Sequence, residues 1–101
     1  MKLNTVERLM LLNILPPEGS ITIMKLMRVL KEELSFNEAE NKALDFKQED
    51  GMLRWNEDAD IVKDVKIGEI MTELIKKELK TLNDEEKLTD AHVDLYDKFM
   101  E

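Results

Sequence analysis

Few residues of this chain have the right chemistry for catalysis. There is one histidine, His92, two serines, Ser20 and Ser35, and no cysteine. Nucleophilic catalysis needs a nucleophile, a base within hydrogen-bond reach and a group that orients the base. Both serines stand at predicted helix starts, where a hydroxyl caps the backbone. His92 falls at the third position of a predicted helix, a place for local capping or solvent contact. No GxSxG, phosphate loop or GxGxxG is present, and three glycines cannot build a phosphate cradle of those kinds. No catalytic residue and no cofactor is assigned, and the chain reads as a non-enzyme.

The remaining candidate chemistry is the acidic stretch Asn56-Glu57-Asp58-Ala59-Asp60. Alternating oxygen ligands are what a calcium loop uses. Here the sixth position, which needs glycine, is Ile61, and the twelfth, which needs a bidentate glutamate, is Ile67. The stretch therefore reads as a solvated acidic loop and no metal site is assigned. Beside it stands Trp55, which is either a core plug or an anchor for a partner, the residue type enriched at interface hot spots. Trp55, Glu57, Asp58 and Asp60 form the candidate partner-binding set.

The net charge of −8 is unevenly spread. Residues 1–34 sum to +1, residues 35–60 to −5 and residues 61–101 to −4. Such a surface repels phosphate, which disfavours direct nucleic-acid binding. Lys25, Arg28 and Lys31 are the basic run of the second helix, and their spacing is read as drifting around it and forming no single patch. The absence of cysteine and of a signal-peptide pattern points to the cytoplasm. No apolar run is long enough to span a bilayer.

The elements that must position these residues follow from caps and periodicity. A first helix is expected over Thr5–Leu15, with Asn4 as N-cap and Glu7 closing a capping box. Its broad apolar stripe implies burial on more than one side, and Pro16-Pro17 ends it. Ser20 starts a second helix, Ile21–Leu34, with Ile23, Met27, Leu30 and Leu34 on one face. Ser35-x-x-Glu38 reads as the box for a short third helix reaching Leu44 or Phe46. Residues 52–56 and 63–67 are expected to pair as a hairpin. A rival register turns at Asp50-Gly51 and pairs 46–48 with 52–55. Gly68 opens a fourth helix, Glu69–Leu82, with Glu73 and Lys77 paired across one turn. Thr89 caps a fifth helix whose apolar face is Val93, Tyr96, Phe99 and Met100, stapled by Leu88 and Val93.

The expected fold is thus mainly α within an α+β class, one domain over 1–101. It has a three-helix N-terminal part, a small two-stranded hairpin and two C-terminal helices, in winged-helix-like order. Seven methionines add adaptable apolar surface, and the wide apolar helix faces imply a homo-oligomer, a homodimer in the simplest case.

The stretches 7–19, 34–38 and 88–99 resemble a group of small bacteriophage and prophage proteins that carry no assigned activity. The shared motifs are helix starts and stops. The resemblance implies a phage or prophage source and a bacterial host cytoplasm, and it supplies no site residues. Taken together, the expected function is regulatory or host-targeting protein–protein interaction, with a basic host protein as the partner. The alternatives are a winged-helix nucleic-acid-binding regulator and a component of virion assembly.

Overall fold

The computed structural model describes residues 1–59 and 61–100. In chain order they form β1 (Lys2–Asn4), α1 (Thr5–Ile14), α2 (Ile21–Leu34), α3 (Glu38–Leu44), β2 (Lys47–Glu49) and β3 (Met52–Arg54). There follow β4 (Val62–Asp64), α4 (Glu69–Asp84), a 3-10 turn at Asp90–His92 and α5 (Val93–Met100). The fold is mainly α with two small β pairs, an α+β arrangement.

Side-chain caps set most helix starts. Asn4 Oδ1 accepts from the Glu7 N–H at 2.9 Å, and Glu7 Oε1 accepts from the Asn4 N–H at 2.9 Å. Ser20 Oγ accepts from the Ile23 N–H at 3.2 Å. The third helix corrects its sequence reading. Its cap is Asn37, whose Oδ1 accepts from the Glu40 N–H at 2.8 Å while Glu40 Oε1 accepts from the Asn37 N–H at 3.0 Å. Ser35 is engaged elsewhere, because its hydroxyl donates to the Glu32 carbonyl at 2.7 Å and closes α2.

The strand pairing is also a correction. Segments 52–56 and 63–67 do not pair, and the winged-helix order read from the sequence rested on that hairpin. Instead β2 and β3 form an antiparallel hairpin with Lys47 opposite Arg54 and Glu49 opposite Met52. Asp50 and Gly51 make the turn with φ of 51° and 76°. Two positive φ values in succession match the right-handed twist of the flanking strands, and Asp-Gly supplies them at low cost. A two-residue turn thus prevails over a six-residue loop. β4 then pairs with β1, Leu3 lying opposite Lys63. The gain is burial: Leu3 within β1 and Val65 just after β4 are both fully buried in the core.

That core gathers Leu3, Leu11, Leu34, Val65, Ile75, Leu79 and Leu95, all at 0% exposure, with Met27, Leu30, Met71 and Phe99 around them. Each fully buried aliphatic side chain of this size stabilises by about 1.5–3 kcal/mol. In α4, Met71, Ile75 and Leu79 face inward, and Glu73 pairs with Lys76 at 3.8 Å, one residue short of the expected Lys77. In α5 the inward residues are Leu95 and Phe99, with Tyr96 partly buried. Val93 points outward at 51% exposure while Leu88 packs on the core, so Val93 is not part of the inward face of α5 that the sequence suggested. No helix among the described residues is long and apolar enough to cross a membrane.

Candidate interaction surface

His92 occupies a local cap. Its Nδ1 accepts from the Thr89 N–H at 2.9 Å and lies 2.9 Å from the Thr89 hydroxyl. The acidic loop is organised by Asn56, whose Oδ1 accepts from the Asp58 N–H at 3.1 Å and whose carbonyl accepts from the Ala59 N–H at 3.1 Å. Glu57 and Asp58 point to solvent in this turn. Asp60 lies outside the described residues. Among the described residues, no group of three or more His, Asp or Glu side chains is arranged to hold a metal ion.

The most organised polar centre belongs to α1, whose fully buried side carries charges. Arg8 has 0% exposure. Its Nε donates to the Leu34 carbonyl at 3.1 Å, and a terminal nitrogen donates to the Ser35 carbonyl. These carbonyls are at the C-terminal end of α2, where intrahelical partners run out. The two terminal nitrogens also grip Glu40 of α3 at 2.6 and 3.2 Å. This bidentate pairing satisfies a buried cation that would otherwise cost several kcal/mol. The Glu40 carboxyl is held below its ordinary value near 4.5, chiefly by its hydrogen bond to Arg8, with partial burial opposing and the Asn37 N–H assisting.

Next to Arg8 in α1, Glu7 is 2% exposed. Lys98 of α5 places its ammonium 2.8 Å from Glu7 Oε1 and 2.7 Å from Oε2, hydrogen-bonding to the first, and also donates to the Lys2 carbonyl at 2.8 Å. One helix turn therefore ties α1 to the end of α2, to α3 and to α5. Sequence reading gave Glu7 only its capping role and passed over Arg8. The available signal was two charges, Glu7 and Arg8, inside a helix whose stripe implied burial on several sides.

From Arg8 a line of aromatic rings leads to the candidate site. The guanidinium carbon lies 3.9 Å from the Phe36 ring centroid, a cation–π contact. Phe36 meets Phe46 edge-on at 5.2 Å, and Phe46 meets Trp55 at 6.1 Å. Asn56 is pinned beside them, its N–H donating to the Leu44 carbonyl at 2.7 Å. Trp55 is half-buried at the end of this line and lies outside the main core. It is not a plug of the main core: one side packs on Phe46 and the other borders open surface.

Trp55, Glu57 and Asp58 line one groove of about 560 Å³ together with Met52 and Leu53. A second groove of about 250 Å³ joins Trp55 and Glu57 to Val6 and Ile61. Met52 is 61% and Leu53 45% exposed, and every residue of β2 and β3 is exposed. The hairpin therefore carries apolar side chains and two open strand edges, with no layer packed over them among the described residues.

A second surface corrects the reading of the basic run. Lys25, Arg28 and Lys31 border a single groove of about 470 Å³ along α2, with Ile21 and Met24. Spacings of three residues turn them gradually around α2, yet the drift is small enough that all three border the same groove. Set against known proteins, the chain matches no family model, no curated protein and no solved structure.

Proposed function

We propose that this chain is a small acidic interaction protein of the bacteriophage or prophage kind, acting without chemistry of its own by occupying a basic host protein in the bacterial cytoplasm. The observation that carries the reading is the shared groove of Trp55, Glu57, Asp58, Met52 and Leu53. It combines an aromatic anchor, exposed apolar side chains and negative charge, the composition of an interface centre with a charged rim. Carboxylates at the rim steer a cationic partner and set the salt dependence of its capture. Open edges on β2 and β3 add backbone donors and acceptors that a partner strand can pair.

The experiment is affinity capture from a bacterial lysate, with and without nuclease, comparing the natural chain with Glu57→Lys/Asp58→Lys and with Asp84→Lys as a distant charge control. The expected result is one host protein retained by the natural chain and the control, unaffected by nuclease, and lost by the double reversal and at high salt. Equal capture by the double reversal sinks the hairpin site. Recovery of nucleic acid that nuclease removes would put the nucleic-acid-binding regulator first, with the cationic α2 stripe as its contact.

A further inference from the structure

On a chain of net charge −8, the α2 groove is a local exception. Lys25, Arg28 and Lys31 surround Ile21 and Met24, with Glu32 the one acid at its C-terminal end. Ile21 is 72% exposed, an apolar side chain left open among cations. The 3-10 turn and α5 carry the opposite pattern. Asp90, Asp94 and Asp97, spaced four and three residues apart, share a face, and all are exposed. Val93 stands within that face at 51% exposure. The nearest cation on α5, Lys98, is turned to Glu7 and the Lys2 carbonyl and does not neutralise the stripe.

The two faces lie on helices that do not pack closely on each other within one chain. α1 and α4 each pack against both α2 and α5, so α2 and α5 flank the α1/α4 pair from opposite sides. We infer that the Asp90/Val93/Asp94/Asp97 face of one copy docks on the Ile21/Met24/Lys25/Arg28/Lys31 groove of a second copy of this chain. Three cations meet three carboxylates around an apolar contact between Ile21, Met24 and Val93. A phosphate backbone would satisfy the cations and leave the apolar floor unmatched, and the surrounding negative field would oppose it. Because the faces lie on opposite flanks, the contact is head-to-tail, and copies add in series, into a ring where the rotation closes and into a filament where it does not. This surface is separate from the hairpin groove, and self-association is read on purified protein with no partner present.

The test is sedimentation of the purified chain from micromolar to millimolar concentration at low salt. Average mass is expected to rise beyond a dimer with concentration, and association to weaken about tenfold or more in 1 M salt, where the Debye length is ~3 Å. The variant Lys25→Glu/Arg28→Glu/Lys31→Glu is expected to stay monomeric, and so is Asp94→Lys/Asp97→Lys. Mixing the two variants should restore association, because each then offers the complement of the other. All five positions are exposed, and circular dichroism establishes that each variant is folded. If Asp94→Lys/Asp97→Lys unfolds, the α2 variant and the salt series decide the question alone. A natural chain that stays monomeric at millimolar concentration overturns the inference. So do variants that associate as the natural chain does, folded variants that do not recover on mixing, or duplex DNA bound through the α2 stripe in place of a second copy.

Discussion

The helical core and the α3–hairpin region use similar residues under different physics. Ile75 of α4 is fully buried, whereas Leu53 of β3 is 45% exposed. The core is closed by apolar burial from α1, α2, α4, α5 and β1, so each side chain loses water and gains neighbours on several sides. The hairpin is held by its own ladder, by the Asp50-Gly51 turn and by three aromatic rings that lead back to Arg8. A two-stranded ribbon with no layer over it is marginal by itself. The contrast teaches that this molecule concentrates apolar burial in one region and leaves the other exposed to solvent, with Arg8 as the joint between them.

The largest expected effect breaks that joint. Arg8→Ala leaves the Leu34 and Ser35 carbonyls and the Glu40 carboxylate without their cation, and should cost about 3–5 kcal/mol. Urea unfolding followed by far-ultraviolet circular dichroism measures this. The paired replacement Arg8→Met/Glu40→Met, which removes both charges together, should recover a large part of the loss. If the double variant is as unstable as the two single losses added, the two side chains act independently and the joint is misassigned.

A smaller effect is acid sensitivity. Glu40 has a folded-state pKa below its ordinary value near 4.5, so the unfolded chain takes up a proton first as the pH falls. The stabilisation from Glu40 is complete above its unfolded value. It is lost progressively from about pH 4.5 downward, through the folded value. Thermal melts across this range should flatten in Glu40→Gln compared with the natural chain. An equally steep profile in that variant would assign the acid response to other carboxylates.

The smallest effects test whether the open end is separable. Gly51→Ala places a side chain at φ 76°, where open space around the residue removes any clash but not the backbone cost, about 1–2 kcal/mol. Hydrogen exchange should quicken at residues 47–54 while the global melt moves little. Leu53→Ala should change global stability by no more than about 0.5 kcal/mol, yet weaken partner capture. A global loss like that of a core truncation would mean that the hairpin belongs to the cooperative core.

Legibility from the sequence followed the range of the interactions. Asn4, Ser20 and Pro16 act within a few residues, and the helix ends they imply stand where expected. The α5 face was misjudged at Val93 because periodicity allows more than one inward stripe, and packing selected Leu95 and Phe99. The candidate site was legible in part: Trp55, Glu57 and Asp58 do share a groove, but the line of Phe36 and Phe46 behind Trp55 depends on how α3 and the hairpin fold back on each other, which no cap or periodicity specifies. Arg8 was missed because its partners, Leu34, Ser35 and Glu40, lie 26 to 32 residues away.

By itself, then, the sequence determined the helices, the caps of α1 and α2 and the charge of each segment, since these rest on local backbone chemistry and composition. Only the tertiary structure decided which strand β4 would pair with, where Arg8 would find its acceptors and that Lys25, Arg28 and Lys31 share a face with Ile21. Those outcomes depend on which distant surfaces lose most water when brought together, and no local pattern specifies that choice.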